Sequence, residues 1–265
     1  MSRRLRLDAE LVRRGLARSR EQAAELIAAG RVMVDGQAAA KPASQVGVGA
    51  AIIIETVSDE PEYASRGGRK LAGALAAFPD LAVTGRRCLD AGASTGGFTD
   101  VLLRSGAAHV VAVDVGYGQL AWSLQTDPRV TVLDRVNVRH LKPEQVAPPP
   151  DLVVADLSFI SLTLVLPALI GCAAPEADFV LMVKPQFEVG KNRVGDGVVR
   201  DPELRVEAVR AVAAAAGDAG LGVRGVTASP LPGPSGNVEF FLWLRRGAPP
   251  LDQAALRQAV AEGPQ

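Results

Sequence analysis

Residues 86–116, RRCLDAGASTGGFTDVLLRSGAAHVVAVDVG, admit few folds. Arg87-Cys88-Leu89 runs as a strand into Asp90, and Gly92, Gly96 and Gly97 then punctuate a tight turn. Residues 98–105 set Phe98, Val101 and Leu102 at helical spacing, and Gly106 stands where it can stop that helix. Residues 109–113 are a short apolar run ending in Asp114. Strand, glycine turn, helix, strand is the order of a βαβ nucleotide-binding unit. An acid closing the second strand is placed to accept hydrogen bonds from ribose hydroxyls.

The turn is not a dinucleotide fingerprint. That fingerprint needs a middle glycine so that the backbone can approach a pyrophosphate. Ser94 occupies that position here, and Asp90 stands two residues before the first glycine. A carboxylate there repels a pyrophosphate and suits an ammonium or sulfonium ligand. D-x-G-x-x-x-G therefore points to S-adenosyl-L-methionine rather than to a nicotinamide cofactor. Asp90, Gly92, Ser94, Gly96, Gly97, Phe98, Asp114 and Val115 are the expected cofactor residues, the glycines lying against its methionine part. The blander reading, glycines that only make a turn and an acid that only caps a helix, leaves the second acid at Asp114 without a purpose.

The rest of the chain repeats the strand–helix alternation. Strands are expected at 130–133, 151–155, 179–183, 223–228 and 238–244, with helices at 161–172 and 202–217. This gives an α/β, doubly wound, Rossmann-like and mostly parallel sheet with helices on both faces. Ligands of such sheets lie at the carboxyl ends of the strands. Asp134, Arg135 and Asn137 follow one strand and are placed for contacts to an adenine edge. Asp156, Lys184 and Glu239 sit at or near other strand ends, and Lys70 opens the helix ahead of the cofactor strand. Two lysines and two acids can thus meet beside the crevice.

The first twenty residues carry seven arginines against Asp8 and Glu10. A short helix is expected at 8–14, with Leu11 and Val12 inward. A second starts at Ser19, with Gln22 completing a capping box. Residues 31–34 alternate like a strand, and Asp35-Gly36 is a hairpin signal. Arg3, Arg4, Arg6, Arg14, Arg18, Arg20 and Lys41 are the expected phosphate-binding residues, guanidinium being suited to bidentate phosphate contacts. The expected division is a small α+β RNA-binding domain at 1–57, a linker at 58–63, a catalytic domain at 64–246 and a tail at 247–265.

The overall charge is zero, so a nucleic-acid surface must come from uneven distribution. Cys88 and Cys172 sit in apolar surroundings without a CxxC partner, and His109 and His140 stand alone. Neither pair suggests a metal site, and free thiols fit a reducing cytoplasm. The start MSRRLRLDAELV lacks the apolar core of a signal peptide. Residues 157–175 carry no charge and approach a membrane-spanning length. Ser158, Ser161, Thr163 and Pro167 within them fit a loop and a buried helix better, so no stable membrane insertion is expected.

Two resemblances bear on these readings. The segments Arg6-Leu7-Asp8, Leu11 to Leu16, Ser19-Arg20, Val34-Asp35-Gly36 and Lys41-Pro42 resemble the ribosomal-protein-S-four-like RNA-binding module. The order Lys70, Asp156, Lys184, Glu239 resembles the catalytic tetrad of FtsJ-like 2′-O-ribose RNA methyltransferases. The contexts SRGGRKL, VVADLSFIS, LMVKPQFEVG and SPLPGPSGNVEFF resemble the TlyA family from about residue 3 to 245. That resemblance implies S-adenosylmethionine-dependent methylation of cytidine 2′-hydroxyls in 16S and 23S ribosomal RNA, with ribosomal RNA or ribosomal subunits as partner. The competing classes are a nicotinamide oxidoreductase and an RNA-binding or haemolysin-like membrane protein without catalysis.

Overall fold

The computed structural model describes residues 4–47, 49–54, 63–190 and 193–264. Arg3 and most of the expected linker lie outside these residues. The chain divides into two compact units, Met1–Pro61 and Glu62–Gln265.

The first unit is a small α+β body. Strand β1 (Arg4–Arg6) leads directly into helix α1 (Leu7–Arg13), followed by α2 (Arg20–Ala28), β2 (Val32–Val34), β3 (Gln37–Ala38), β4 (Gln45–Gly47) and β5 (Ile52–Ile54). β1 pairs antiparallel with β4, and β2 pairs with both β3 and β5. Leu7, Leu11, Ala23, Ile27, Val32 and Val46 close the core. Asp35 and Gly36 both take positive φ, 49° and 82°, as the two-residue hairpin between β2 and β3 requires. The Ser19 hydroxyl accepts the Gln22 N–H, as expected, but the Gln22 carbonyl oxygen takes the N–H of Arg18 rather than of Ser19.

Two features of this unit differ from the sequence reading. Arg4-Leu5-Arg6 is a strand, too short for its alternation to announce it. The buried face of α1 holds Leu7, Asp8, Glu10 and Leu11, while Val12 is only half-buried. Both acids turn inward, where arginines neutralise them.

The second unit carries the large sheet. Its elements are α3 (Gly67–Ala77), β6 (Arg87–Ala91), α4 (Gly97–Arg104), β7 (His109–Asp114), α5 (Trp122–Gln125), β8 (Val130–Asp134), α6 (Pro143–Val146), β9 (Leu152–Ala155), α7 (Leu162–Cys172), β10 (Asp178–Val183), α8 (Pro185–Glu188), α9 (Pro202–Asp218), β11 (Leu221–Ala228), β12 (Phe240–Arg246) and α10 (Gln253–Glu262). The strand order is β11-β12-β10-β9-β6-β7-β8. Strands β6 to β10 pair in parallel, and β12 runs antiparallel between β10 and β11.

Period-two alternation builds both faces. Leu89, Val111, Val153 and Leu181 face the helices α7, α9 and α10, whereas Cys88, Val110, Val154 and Val180 face α3 and α4. The apolar run that approached membrane length resolves into a loop and the eleven-residue α7, which buries Val165, Leu166 and Leu169 in the core. Among the described residues, no helix is long and apolar enough to cross a membrane.

Residues 253–262, expected to be part of a frayed tail or a short helix, form a helix built into the core. Asp252 caps it through the N–H groups of Ala254 and Ala255, and Leu256, Ala259 and Val260 are buried against the sheet. Leu256→Ala should therefore cost about 2–5 kcal/mol, the range for emptying a buried leucine site. Urea denaturation of the full chain measures this. Loss of well under ~1 kcal/mol would mean that α10 is not part of the folded core.

Candidate active site

Strand register gathers the polar residues on one edge of the sheet. β9 and β10 run in parallel and end side by side, delivering Asp156 and Lys184. β12 runs the other way, so its start lies at that same edge, with Phe240 opposite Val183. Glu239 and Lys184 therefore flank one register position. α3 supplies Lys70 from its first turn.

The four side chains form two ion pairs. Lys70 Nζ lies 2.5 Å from Glu239 Oε2, with both residues almost wholly buried. Lys184 Nζ lies 2.6 Å from Asp156 Oδ1 and donates to the Ser158 hydroxyl at 3.0 Å. Lys70 departs from the usual solvated lysine at a helix start. Glu239, 169 positions away, supplies the charge that lets it be buried. Glu239 Oε1 is buried with no hydrogen-bond partner, so this carboxylate retains acceptor capacity.

The glycine turn is held from several sides. Asp114 accepts the N–H of Ser94 at 2.8 Å and of Gly116 at 2.7 Å, one on each carboxylate oxygen. Asp134 accepts the N–H of Gly118. Each oxygen keeps a further lone pair for a ligand hydroxyl. The glycines have packing reasons of their own. A Cβ on Gly92, at φ 87°, would lie 2.4 Å from the Asp156 carbonyl oxygen, and one on Gly97 would meet Ser65 Oγ and the Gly68 nitrogen. The turn is thus pressed against the strand end that carries Asp156 and against the start of α3.

Asp90 is fully buried. Its Oδ2 accepts from the Thr99 hydroxyl at 2.7 Å, and its Oδ1 has no partner. Burial, opposed by the Thr99 bond and reinforced by the charges of Asp156 and Asp114, pushes its carboxyl up to about 7. An unpartnered buried carboxylate beside two further acids fits a positively charged ligand group and opposes a phosphate.

Other expected residues are placed differently from one another. Phe98 is buried against Phe241, inside the core. Asn137 Oδ1 caps the following turn through the Arg139 N–H. Val115 is exposed, and Arg135, at φ 60°, lies over the Tyr117 ring at 4.2 Å. Sequence reasoning missed Ser158 and the ring pair Phe159–Phe187, whose centroids are 5.3 Å apart beside Lys184. Phe159 is 92% exposed at φ 65°. An aromatic residue three positions after the charged residue at each strand end, Asp156 and Lys184, was the available signal.

In the first unit, Arg4, Arg18 and Lys41 are exposed. Arg6 and Arg20 pair with Asp8, and Arg14, joined by Arg13, pairs with Glu10. The basic run is therefore less open than a count of its charges suggests.

A model of FtsJ-like methyltransferases matches residues 63–246, and an S4 domain model matches residues 5–52. The 16S/23S rRNA (cytidine-2′-O)-methyltransferase TlyA of Mycobacterium tuberculosis is 63% identical across the whole of both chains. The chain belongs to the FtsJ-like methyltransferases, among the TlyA proteins. Hemolysin A of Brachyspira hyodysenteriae is 36% identical over 89% of this chain and 98% of its own. A solved structure of a hemolysin-named protein from Streptococcus thermophilus is 38% identical, covers 99% of this chain and 96% of that one, and superposes with a TM-score of 0.79. The haemolysin label thus sits on chains with this same two-part arrangement.

Asp90 gives this TlyA-type fold a pH dependence. Its folded-state carboxyl titrates near 7, above the ordinary value of 3.8. Between these limits the folded chain binds the extra proton, so stability falls as pH rises from about 4 to about 7 and levels off above. Asp90→Asn should remove that slope. Thermal denaturation of ligand-free wild type and variant across this range measures it, and parallel curves would refute the assignment.

Proposed function

We propose that this chain transfers a methyl group from S-adenosylmethionine to the 2′-hydroxyl of cytidines in 16S and 23S ribosomal RNA. The observation that carries the reading is the convergence of two lysine–carboxylate pairs on the edge that also holds the cofactor turn. Asp90, with its unpartnered buried oxygen, fits a cationic ligand group there. Asp114 would hold ribose hydroxyls, Asp134, Arg135 and Asn137 would border the adenine, and Gly92, Ser94, Gly96 and Gly97 would line the methionine part. When bound, the cofactor supplies a sulfonium-activated methyl.

A ribose hydroxyl is a weak nucleophile, so the chain's own tasks are in-line positioning and removal of the proton. Lys184 takes that proton. A lysine does so only as the free amine. Asp156 and Ser158 hold its nitrogen in place, and Lys70, fixed by Glu239, contributes positive charge without acting as base. The exposed Phe159 ring, backed by Phe187, offers a stacking surface for a base drawn out of an RNA helix. The S4 unit would grip the RNA backbone. Such a substrate places the enzyme in the cytoplasm.

A nicotinamide reading meets the buried Asp90 carboxylate where a pyrophosphate would lie. A membrane-lytic reading leaves the two lysine–carboxylate pairs unused. Calorimetry with S-adenosylmethionine and with NAD separates the first. Mapping of 2′-O-methylated riboses in ribosomal RNA from cells with and without the gene tests the substrate.

Two variants test the roles. Asp114→Ala should weaken S-adenosylmethionine binding by about 1–3 kcal/mol, the scale of hydrogen bonds to a charged group. Unchanged affinity would remove the ribose assignment. Lys184→Arg keeps the charge but cannot release its proton at working pH. Single-turnover methyl transfer should fall by at least about a hundredfold while cofactor binding survives, with Lys70→Arg milder. Near-wild-type transfer by Lys184→Arg would leave positioning as the main catalytic contribution.

A further inference from the structure

Two carboxylates are buried where an RNA-binding module needs positive charge. Asp8 and Glu10 lie on the inward face of α1, with side chains 6% and 0% exposed. Asp8 receives Arg6 through both oxygens, Nε at 3.1 Å and Nη2 at 2.9 Å, and receives Arg20 Nη2 at 2.9 Å. Glu10 receives Arg13 through both oxygens at 2.7 and 2.6 Å, and Arg14 Nε at 2.7 Å. Arg14 is tied further by its bond to the Ala50 carbonyl. The four arginines themselves remain partly exposed. Each cluster therefore has its negative charge underneath, its guanidinium groups at the surface, and a net positive charge.

We propose that Asp8 and Glu10 are positioning residues of the RNA-binding face, anchoring these four guanidinium groups in a fixed array for RNA phosphates. The inference rests on the reading that this module binds RNA. The bidentate contacts fix the guanidinium planes of Arg6 and Arg13 and occupy only part of each donor fork, while Arg14 and Arg20 are each held to the acid by one bond. Arginine side chains are rich in rotamers, and ordering them before RNA arrives lowers the cost of ordering them on binding. The hydrogen bonds from Arg6 and Arg13 hold the Asp8 and Glu10 carboxyls well below the usual range, so the anchors stay ionised under any binding condition.

A purely electrostatic view predicts the opposite outcome. RNA affinity follows the number of phosphates neutralised, so deleting an acid from a basic face should strengthen binding. The test is fluorescence anisotropy of the full chain with a transcribed stem–loop of ribosomal sequence, against salt concentration. Thermal melting and S-adenosylmethionine calorimetry serve as folding controls. Asp8→Asn and Glu10→Gln each add a unit of positive charge, yet should weaken RNA binding by about tenfold at physiological salt without steepening the salt slope. Binding equal to or tighter than wild type would overturn the proposal. Should either variant melt early, Arg6→Lys with Arg13→Lys takes its place, keeping net charge but losing the bidentate geometry. A clear loss of affinity supports positioning, and wild-type affinity overturns it. Arg6→Ala with Arg20→Ala separates this from failure of the underlying reading. If that pair leaves both affinity and salt slope unchanged, the module is not the RNA surface and the proposal falls with it.

Discussion

The candidate active-site edge depends on one register: Phe240 of β12 opposite Val183 of β10. Only because β12 runs antiparallel does its beginning reach the edge where the parallel strands end. A parallel strand in that slot would carry Glu239 to the far side of the sheet and leave Lys70 buried without a counter-charge. The insertion of β12 between β10 and β11 comes from a hairpin whose loop follows β11. That loop is braced as well: Arg66, one turn before Lys70, donates to the Pro232 carbonyl at 2.8 Å. Sheet topology and ion pairing thus support one another across the whole second unit.

The sequence made the βαβ core legible because its signals are local. The strand at 87–91, the turn glycines and Gly106 at the helix end follow from backbone conformations that those residues alone favour. The antiparallel sense of β12 was not legible, since strand direction is decided by pairing and not by composition. Lys70 was equally opaque. A lysine at a helix start is ordinarily solvated, and its partner lies beyond six intervening strands in the chain. The inward acids of α1 show the limit in another form. Seven arginines within twenty residues read as an open basic surface. The spacing of Asp8 and Glu10 around Leu11 gives no sign of burial until the surrounding arginines are seen to satisfy them. Phe98 carries a similar lesson. Its position beside the glycines suggested ligand contact, while helical geometry turned it toward Phe241.

Both units solve a related problem by placing a carboxylate beneath a cation. Buried ion pairs add little net stability, because desolvation offsets most of the attraction. Leaving one partner alone is what costs, about 3–5 kcal/mol when a buried charge loses its mate. Their value is geometric: an ammonium or guanidinium held by a buried acid cannot wander. At the candidate active-site edge the buried Glu239 fixes Lys70, and the half-buried Asp156 with Ser158 holds Lys184. In the first unit such pairing fixes the guanidinium planes of Arg6 and Arg13 and tethers Arg14 and Arg20.

That asymmetry governs how variants at this edge are to be read. Removing Glu239 strands the Lys70 ammonium in a nearly dry site, so lost activity would mix misfolding with lost chemistry. Lys70→Arg and Lys184→Arg keep each acid paired, and on the proposed roles only the second removes the base. Asp90 lies outside this exchange, since its Oδ1 has no partner to lose. A ligand cation arriving there supplies the missing counter-charge and draws the proton off a carboxyl that otherwise titrates near 7. Cofactor affinity should then rise with pH until Asp90 is ionised, and binding below that point should release a proton. Calorimetry in buffers of different ionisation enthalpy detects that proton directly. Its absence at pH 6, with affinity flat from pH 6 to 8, would place the cation away from Asp90 and return the carboxylate to the role of a buried brace for Thr99.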